Sequence, residues 1–203
     1  MNVLNRPLIF LIAGWSGFFV MAVELLSGRI LAPNFGNSIY VWGGIITIFM
    51  LALSIGYLIG GRLSIRKPSL KKLSIILMVA AVSTTPVVLM GDAVPDRIFT
   101  LIQDPRYGSL ISATMLFFLP TMISGIISPY AVRLLVIESS QSGHFAGLLY
   151  FVSTFGSAAG TILTSFYLVL YFELNHIFWT MIGISLLISA FSFFVGQKHV
   201  ENN

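Results

Sequence analysis

Apolar residues run through this chain in six long stretches almost free of charge, at about 8–31, 40–61, 73–90, 109–134, 146–171 and 177–195. A bilayer's hydrocarbon core takes about 20 residues of helix, and each stretch is near that length. The runs are continuously apolar and do not alternate every second residue, which predicts helices and not barrel strands. Gly, Pro and Ser inside them do not argue against helix, because neighbours in a bundle satisfy the freed backbone groups. Pro120 and Pro129 fall in the fourth stretch and predict a kink or an early end there. The first stretch lacks a small-x-small cleavage site and is followed by five more, so it is expected to be retained. The pattern predicts an all-α membrane protein, a six-transmembrane-helix bundle forming a single domain over residues 1–203.

Composition sharpens the class. The 203 residues are 57% hydrophobic and 9% charged, where a soluble domain carries about 25% charged residues. That excludes a soluble enzyme, a disordered chain and a collagen-like fibre. Cysteine is absent, which excludes disulfide frameworks, thiolate metal sites and iron–sulfur clusters. The basic residues predict orientation. With a cytoplasmic N-terminus, the inner segments carry Arg6, Arg62, Arg66, Lys67, Lys71, Lys72, Arg133 and Lys198. Outside lie only Arg97 and Arg106, with Arg29 near the outer end of the first span. This bias predicts a cell-membrane protein with both termini cytoplasmic.

The net charge of +4 therefore reports topology and not nucleic-acid binding. The inner loop 62–72, with Arg62, Arg66, Lys67, Lys71 and Lys72, has no interleaved aromatics and reads as a basic face at the lipid headgroups. The outer loop 91–108 reads as an amphipathic connector, whose middle, 97–102, is a candidate interfacial helix.

Small residues recur at four-residue spacing: Gly56 and Gly60, Gly143 and Gly147, Gly156 and Gly160. Such pairs share a helix face and let two backbones approach, where dispersion replaces the missing hydrophobic force. They are expected to be helix-packing positions, together with Gly61, and to place the second and fifth spans in the bundle interior. A faint echo, Gly28-Arg29-Ile30-Leu31 against Val132-Arg133-Leu134-Leu135, has the form of a three-plus-three inverted repeat.

Catalytic inventory is thin. Glu24 is the only acid inside a span, and an ionisable group there is a functional candidate by default. Arg29 is its candidate partner, but five residues do not share a helix face. A direct pair needs the helix to end or distort near Gly28 or Pro33. Tyr40 and Trp42 would wall an outward polar pocket with these two charges, or else serve as interface anchors. His144, His176 and His199 fall at separate ends, so no three-histidine metal site is expected. No Walker or dinucleotide-binding glycine pattern occurs, and neither catalytic residues nor a cofactor is expected.

Four segments together carry a family resemblance: ELLSGRILAPNFGNSIYVW (24–42), LSIGYLIGGRLS (53–64), PTMISGIISPYAVRLL (120–135) and AGLLYFVSTFGSAAGTILTSFYL (146–168). They resemble the integral-membrane domain of the spermidine-synthase-like membrane proteins, also described as fused major-facilitator/spermidine-synthase proteins. The matching positions are Glu24, Gly28, Arg29, Pro33, Gly36, Tyr40 and Trp42, then Gly56, Gly60, Gly61 and Arg62. The resemblance implies half of a major-facilitator-type fold. It also implies a soluble aminopropyltransferase-like domain, which has no counterpart in these residues and is expected on a separate protein at the cytoplasmic face. The second block is similar to the short cytoplasmic motif of major-facilitator transporters. Gly60-Gly61 stand before Arg62 where the usual acid would be, so the gating ion pair of that motif has no partner here. The resemblance implies first a non-catalytic membrane subunit of a polyamine-related system. The alternatives are a half-size transporter acting as an oligomer on polyamines or another small solute, motivated by the small-residue faces, the repeat and Glu24, and a membrane scaffold. A homo-oligomer is a candidate partner arrangement. The lipid bilayer is the remaining partner.

Overall fold

The computed structural model describes residues 5–65, 67–136 and 142–198, and these contain helices and no strand. Arg66 and His199 lie outside the described residues. Among the described residues, six helical spans are long and apolar enough to cross a membrane: Arg6–Phe35, Ile39–Leu63, Leu70–Met90, Pro105–Leu135, Ser142–Tyr171 and Leu174–Gln197. In helix terms, α1 (Asn5–Phe35) and α2 (Ile39–Leu63) are the first two spans. The third is α3 (Leu70–Ser83) with α4 (Thr85–Met90), and a short connecting helix α5 (Ala93–Leu101) follows. The fourth is α6 (Pro105–Gly125) with α7 (Ile127–Leu135). The fifth is α8 (Ser142–Leu163), continued by a π-helical turn (Thr164–Leu168) and α9 (Val169–Tyr171); the sixth is α10 (Leu174–Lys198).

Each span runs beyond the apolar stretch that announced it, and in two of them a polar side chain caps the added turn. The Ser69 hydroxyl accepts from the Lys72 amide at the start of α3, and Asp104 accepts from the Arg106 amide ahead of Pro105 at the start of α6. These caps satisfy orphan donors of a first turn. The Arg106 side chain also donates to Asp104, and these hydrogen bonds hold that carboxyl below its ordinary range.

Proline breaks two spans. The fourth is interrupted at Ile126, because Pro129 has no amide for the Gly125 carbonyl and its ring crowds that carbonyl. The third is interrupted at Thr84, where Pro86 leaves the Val82 carbonyl without its usual donor. The 91–108 connector is helical from Ala93, earlier than the stretch expected from sequence. It is tied to the end of α1 by Asn34 Nδ2 donating to Asp96 at 2.7 Å and by an edge-on Phe35–Phe99 pair.

The packing runs in three principal pairs: first span with fifth, second with fourth, third with sixth. In the first pair, a Cβ at Gly156 would meet the Gly14 carbonyl and one at Gly160 the Phe18 carbonyl. In the second, a Cβ at Gly56 would meet the Met122 carbonyl and one at Gly60 the Ile126 carbonyl. Contacts advance in the same direction on both members, so these two pairs are parallel; in the third, Gly196 lies against Leu70 and Lys71 and Ser189 against Ser74, so it is antiparallel. The two crossings correspond residue by residue. Ser16-Gly17 matches Ser124-Gly125, while Gly56 and Gly60 match Gly156 and Gly160.

Burial follows the same register. Leu8, Ile9, Ile12, Ala13, Phe19, Ala22, Val23 and Leu26 are buried in the first span. Their counterparts Leu116, Phe117, Pro120, Thr121, Ile127, Tyr130, Ala131 and Leu134 are buried in the fourth. A two-residue match at one crossing recurs on many shares; a shared burial pattern over about five turns does not. Because α1 and α2 join through a short turn and run opposite ways, the first and fourth spans are antiparallel. The six spans thus form two three-helix units of inverted direction.

The interior belongs to the fourth span, not to the second and fifth. In the fifth only 11% of the apolar window is buried, against 56% in the fourth. The reason is that small residues lock one face of α8 onto α1 and leave its remaining sides uncovered. Polar ties complete the bundle: Trp15 Nε1 donates to Ser185 Oγ at 2.8 Å, and Ser189 Oγ donates to the Ser74 carbonyl at 2.6 Å. The buried Tyr130 hydroxyl accepts from the Ser69 amide at 3.1 Å, fixing the turn before α3 against α7. Tyr130→Phe is expected to cost about 0.5–1.5 kcal/mol, the net worth of one such bond. A lower melting temperature in detergent, with faster amide exchange at Ser69, is the readout.

Candidate functional site

Glu24 lies on the α1 face that also carries Gly17 and Gly28, because positions four and seven residues apart line one side of a helix. That face is bounded by α8 toward the N-terminal end of α1, where a Cβ at Gly17 would meet the Ser153 carbonyl. Toward the C-terminal end it is bounded by α2, where a Cβ at Gly28 would meet the Trp42 ring at 2.6 Å. Glu24 sits between the two crossings and is half-buried. Its carboxylate makes no hydrogen bond or ion pair among the described residues; only its carbonyl is used, by Ser27 Oγ at 2.6 Å.

The flanks carry a stripe of small and polar residues between exposed apolar ones such as Met50 and Leu58 on α2 and Phe151 and Phe155 on α8. On α2, Gly43, Thr47, Ser54 and Gly61 recur on the side opposite the packed glycines, and on α8 so do Gly143, Gly147, Thr154 and Thr161. Each member of one set is the inverted-repeat counterpart of a member of the other. Thr47 and Ser54 are exposed, with hydroxyls bonded to their own helix at Gly43 and Met50. The Tyr57 and Tyr150 hydroxyls, from α2 and α8, lie within electrostatic reach of each other. By contrast, the exposed sides of α3 and α10 are apolar, with Ile75, Met78, Val79 and Val82, then Leu187, Phe191 and Phe194. Lipid tails match the second kind of face; small and polar intramembrane faces line protein or water.

The pocket expected from Glu24, Arg29, Tyr40 and Trp42 is not assembled. α1 stays helical through Gly28 to Phe35, so Arg29 points well round the helix from Glu24. Its guanidinium donates to the Val169 carbonyl at 3.0 Å. That carbonyl stands in the last turn before the helix ends at Tyr171, where it lacks an intrahelical donor. Tyr40 is 61% exposed and its ring faces the Arg106 guanidinium at 6.0 Å. Trp42 packs on Gly28. Arg29 lines a different cavity of about 400 Å³, with Asp92, Glu173 and Asn175. Sequence reading missed this cavity, since its members come from four spans, the first, third, fifth and sixth.

Of the expected packing glycines, Gly56, Gly60, Gly156 and Gly160 sit at the crossings, whereas Gly61, Gly143 and Gly147 have open space around them. The latter three point away from the partner helix, onto the polar flanks just described. At the basic end, Arg62 and Lys72 line one cleft. Lys71 turns elsewhere, its ammonium 4.7 Å above the Phe193 ring. Lys67 occupies a left-handed turn with φ of 45°, and its carbonyl accepts from Lys72 Nζ at 3.0 Å. His176 pairs with Glu173 at 3.5 Å, His144 lies against Phe145, and no metal-binding cluster occurs among the described residues. No family model, no curated protein and no solved structure matches the chain.

Proposed function

We propose that the chain is a half-size membrane transporter that works as a pair of copies and moves a small organic cation. The observation that carries this reading is the inverted repeat, with one unpartnered carboxylate on a face flanked by matched polar sides of α2 and α8. Inverted three-helix units are a common plan of secondary transporters, with the substrate site at the repeat interface. Glu24 would supply the negative charge that a cation needs in a low-dielectric setting. Two copies facing each other would supply two carboxylates, suited to a polyamine, the substrate class that the family resemblance suggests. The distribution of basic residues supports placing both termini in the cytoplasm, in the cell membrane. Purified protein in proteoliposomes should accumulate labelled spermidine or a shorter diamine, and Glu24→Gln should not.

A second reading draws on the same resemblance together with the basic end of the bundle. There the chain anchors a separately encoded spermidine-synthase-like protein, and the acidic surface of that protein meets Arg62, Lys67, Lys71 and Lys72. Affinity purification of the membrane protein in mild detergent distinguishes the two: a stoichiometric soluble aminopropyltransferase-like partner, with no uptake in liposomes, favours anchoring.

A further inference from the structure

At the basic end, a cleft of about 930 Å³ opens between α2 and α3, with Tyr130 of α7 among its lining residues. Arg62 and Lys72 line it together with Ile59, Leu63, Ile65, Ile75 and Ile76. Its chemistry is graded. Ile59 lies about one turn of α2 deeper than Arg62, and Ile75 and Ile76 about one turn of α3 deeper than Lys72. Two cations therefore stand at the mouth, above apolar walls on both sides. Among the described residues no carboxylate lines the cleft, and the Lys72 ammonium, which donates to the Lys67 carbonyl at 3.0 Å, has more than one donor to offer. The Ser69 amide is held by the Tyr130 hydroxyl and Ser69 caps α3, which fixes the frame from which Lys72 projects.

We infer that this cleft is a specific site for one anionic phospholipid, its phosphodiester between Arg62 and Lys72 and an acyl chain along Ile59, Ile75 and Ile76. A soluble phosphate would satisfy the two cations and leave the isoleucine walls bare. A zwitterionic lipid would fill the walls and bring its own ammonium to the cations. Only a lipid with net negative charge meets both parts of the cleft, in keeping with basic pockets between spans on the cytoplasmic side. The site is independent of transport, because it lies on the outer side of α2 and α3 and does not involve Glu24.

Native mass spectrometry of the full chain in detergent, titrated with phosphatidylglycerol, tests this. One lipid should bind, and Arg62→Gln with Lys72→Gln should weaken it about thirtyfold, the combined effect of two headgroup cations. Lys71→Gln removes the same kind of charge from the same end and should leave affinity within about twofold. Equal binding of phosphatidylcholine, equal competition by glycerol phosphate, or an unchanged double variant would each overturn the inference. Should the double variant not fold, photoactivatable phosphatidylglycerol on the wild-type chain decides. Labelling within 59–65 and 72–76 supports the site, and labelling elsewhere contradicts it.

Discussion

Gly56→Ala and Gly156→Ala are each expected to destabilise the protein by about 1–3 kcal/mol, the usual cost of overpacking a tight contact. Both added methyl groups would be driven into a carbonyl of the partner helix, at Met122 and at Gly14. A flexible side chain would swing away, but backbone must move as a unit, so the parallel helices would have to separate along their crossing. Gly147→Ala is the opposite case. Open space surrounds that position, and replacing a helical glycine gains up to about 1 kcal/mol in backbone entropy and propensity. Melting temperatures in one detergent, measured for all three variants, should therefore move in two directions. Equal losses at Gly56 and Gly156 would follow from their matched places in the inverted repeat.

The second large effect concerns Glu24. Glu24→Gln keeps the shape and removes the charge, and uptake of a cationic substrate is expected to fall at least about a hundredfold, as one tenfold step is about 1.4 kcal/mol and a desolvated ion pair is worth several. Folding should survive, because the carboxylate has no partner among the described residues to lose. Burial of a neutral amide is also cheaper than burial of a charge, so a slightly raised melting temperature is expected alongside the lost uptake. Glu24→Asp should retain part of the activity. A Glu24→Gln protein that transports normally would remove the carboxylate from the mechanism.

The six spans were legible because hydropathy over about 20 residues is a strong signal. Their ends were less so: Asp104 and Ser69 extend helices beyond the apolar runs by capping, and caps depend on local geometry. The glycine pairs announced close packing but not how many sides of a helix it would cover, which is why α8 is peripheral. The repeat was glimpsed through Arg29 and Arg133, yet the structural register places Leu25, not Arg29, opposite Arg133. Matching charges misled by one helical turn, while the shared burial pattern gives the alignment. Nor could the sequence assign Arg29 to Val169, since that contact depends on where α9 ends and on tertiary proximity between distant span ends.

Cysteine is absent from the chain, so single-cysteine variants report one position without background. Near mid-span, Ser54 and Thr154 lie on the polar sides of α2 and α8, and Val79 and Leu187 on the apolar sides of α3 and α10. In membrane vesicles, a water-soluble maleimide is expected to label Ser54→Cys and Thr154→Cys and to spare Val79→Cys and Leu187→Cys. Protection of all four, or labelling of the apolar pair alone, would contradict a water-accessible pathway between the two inverted units.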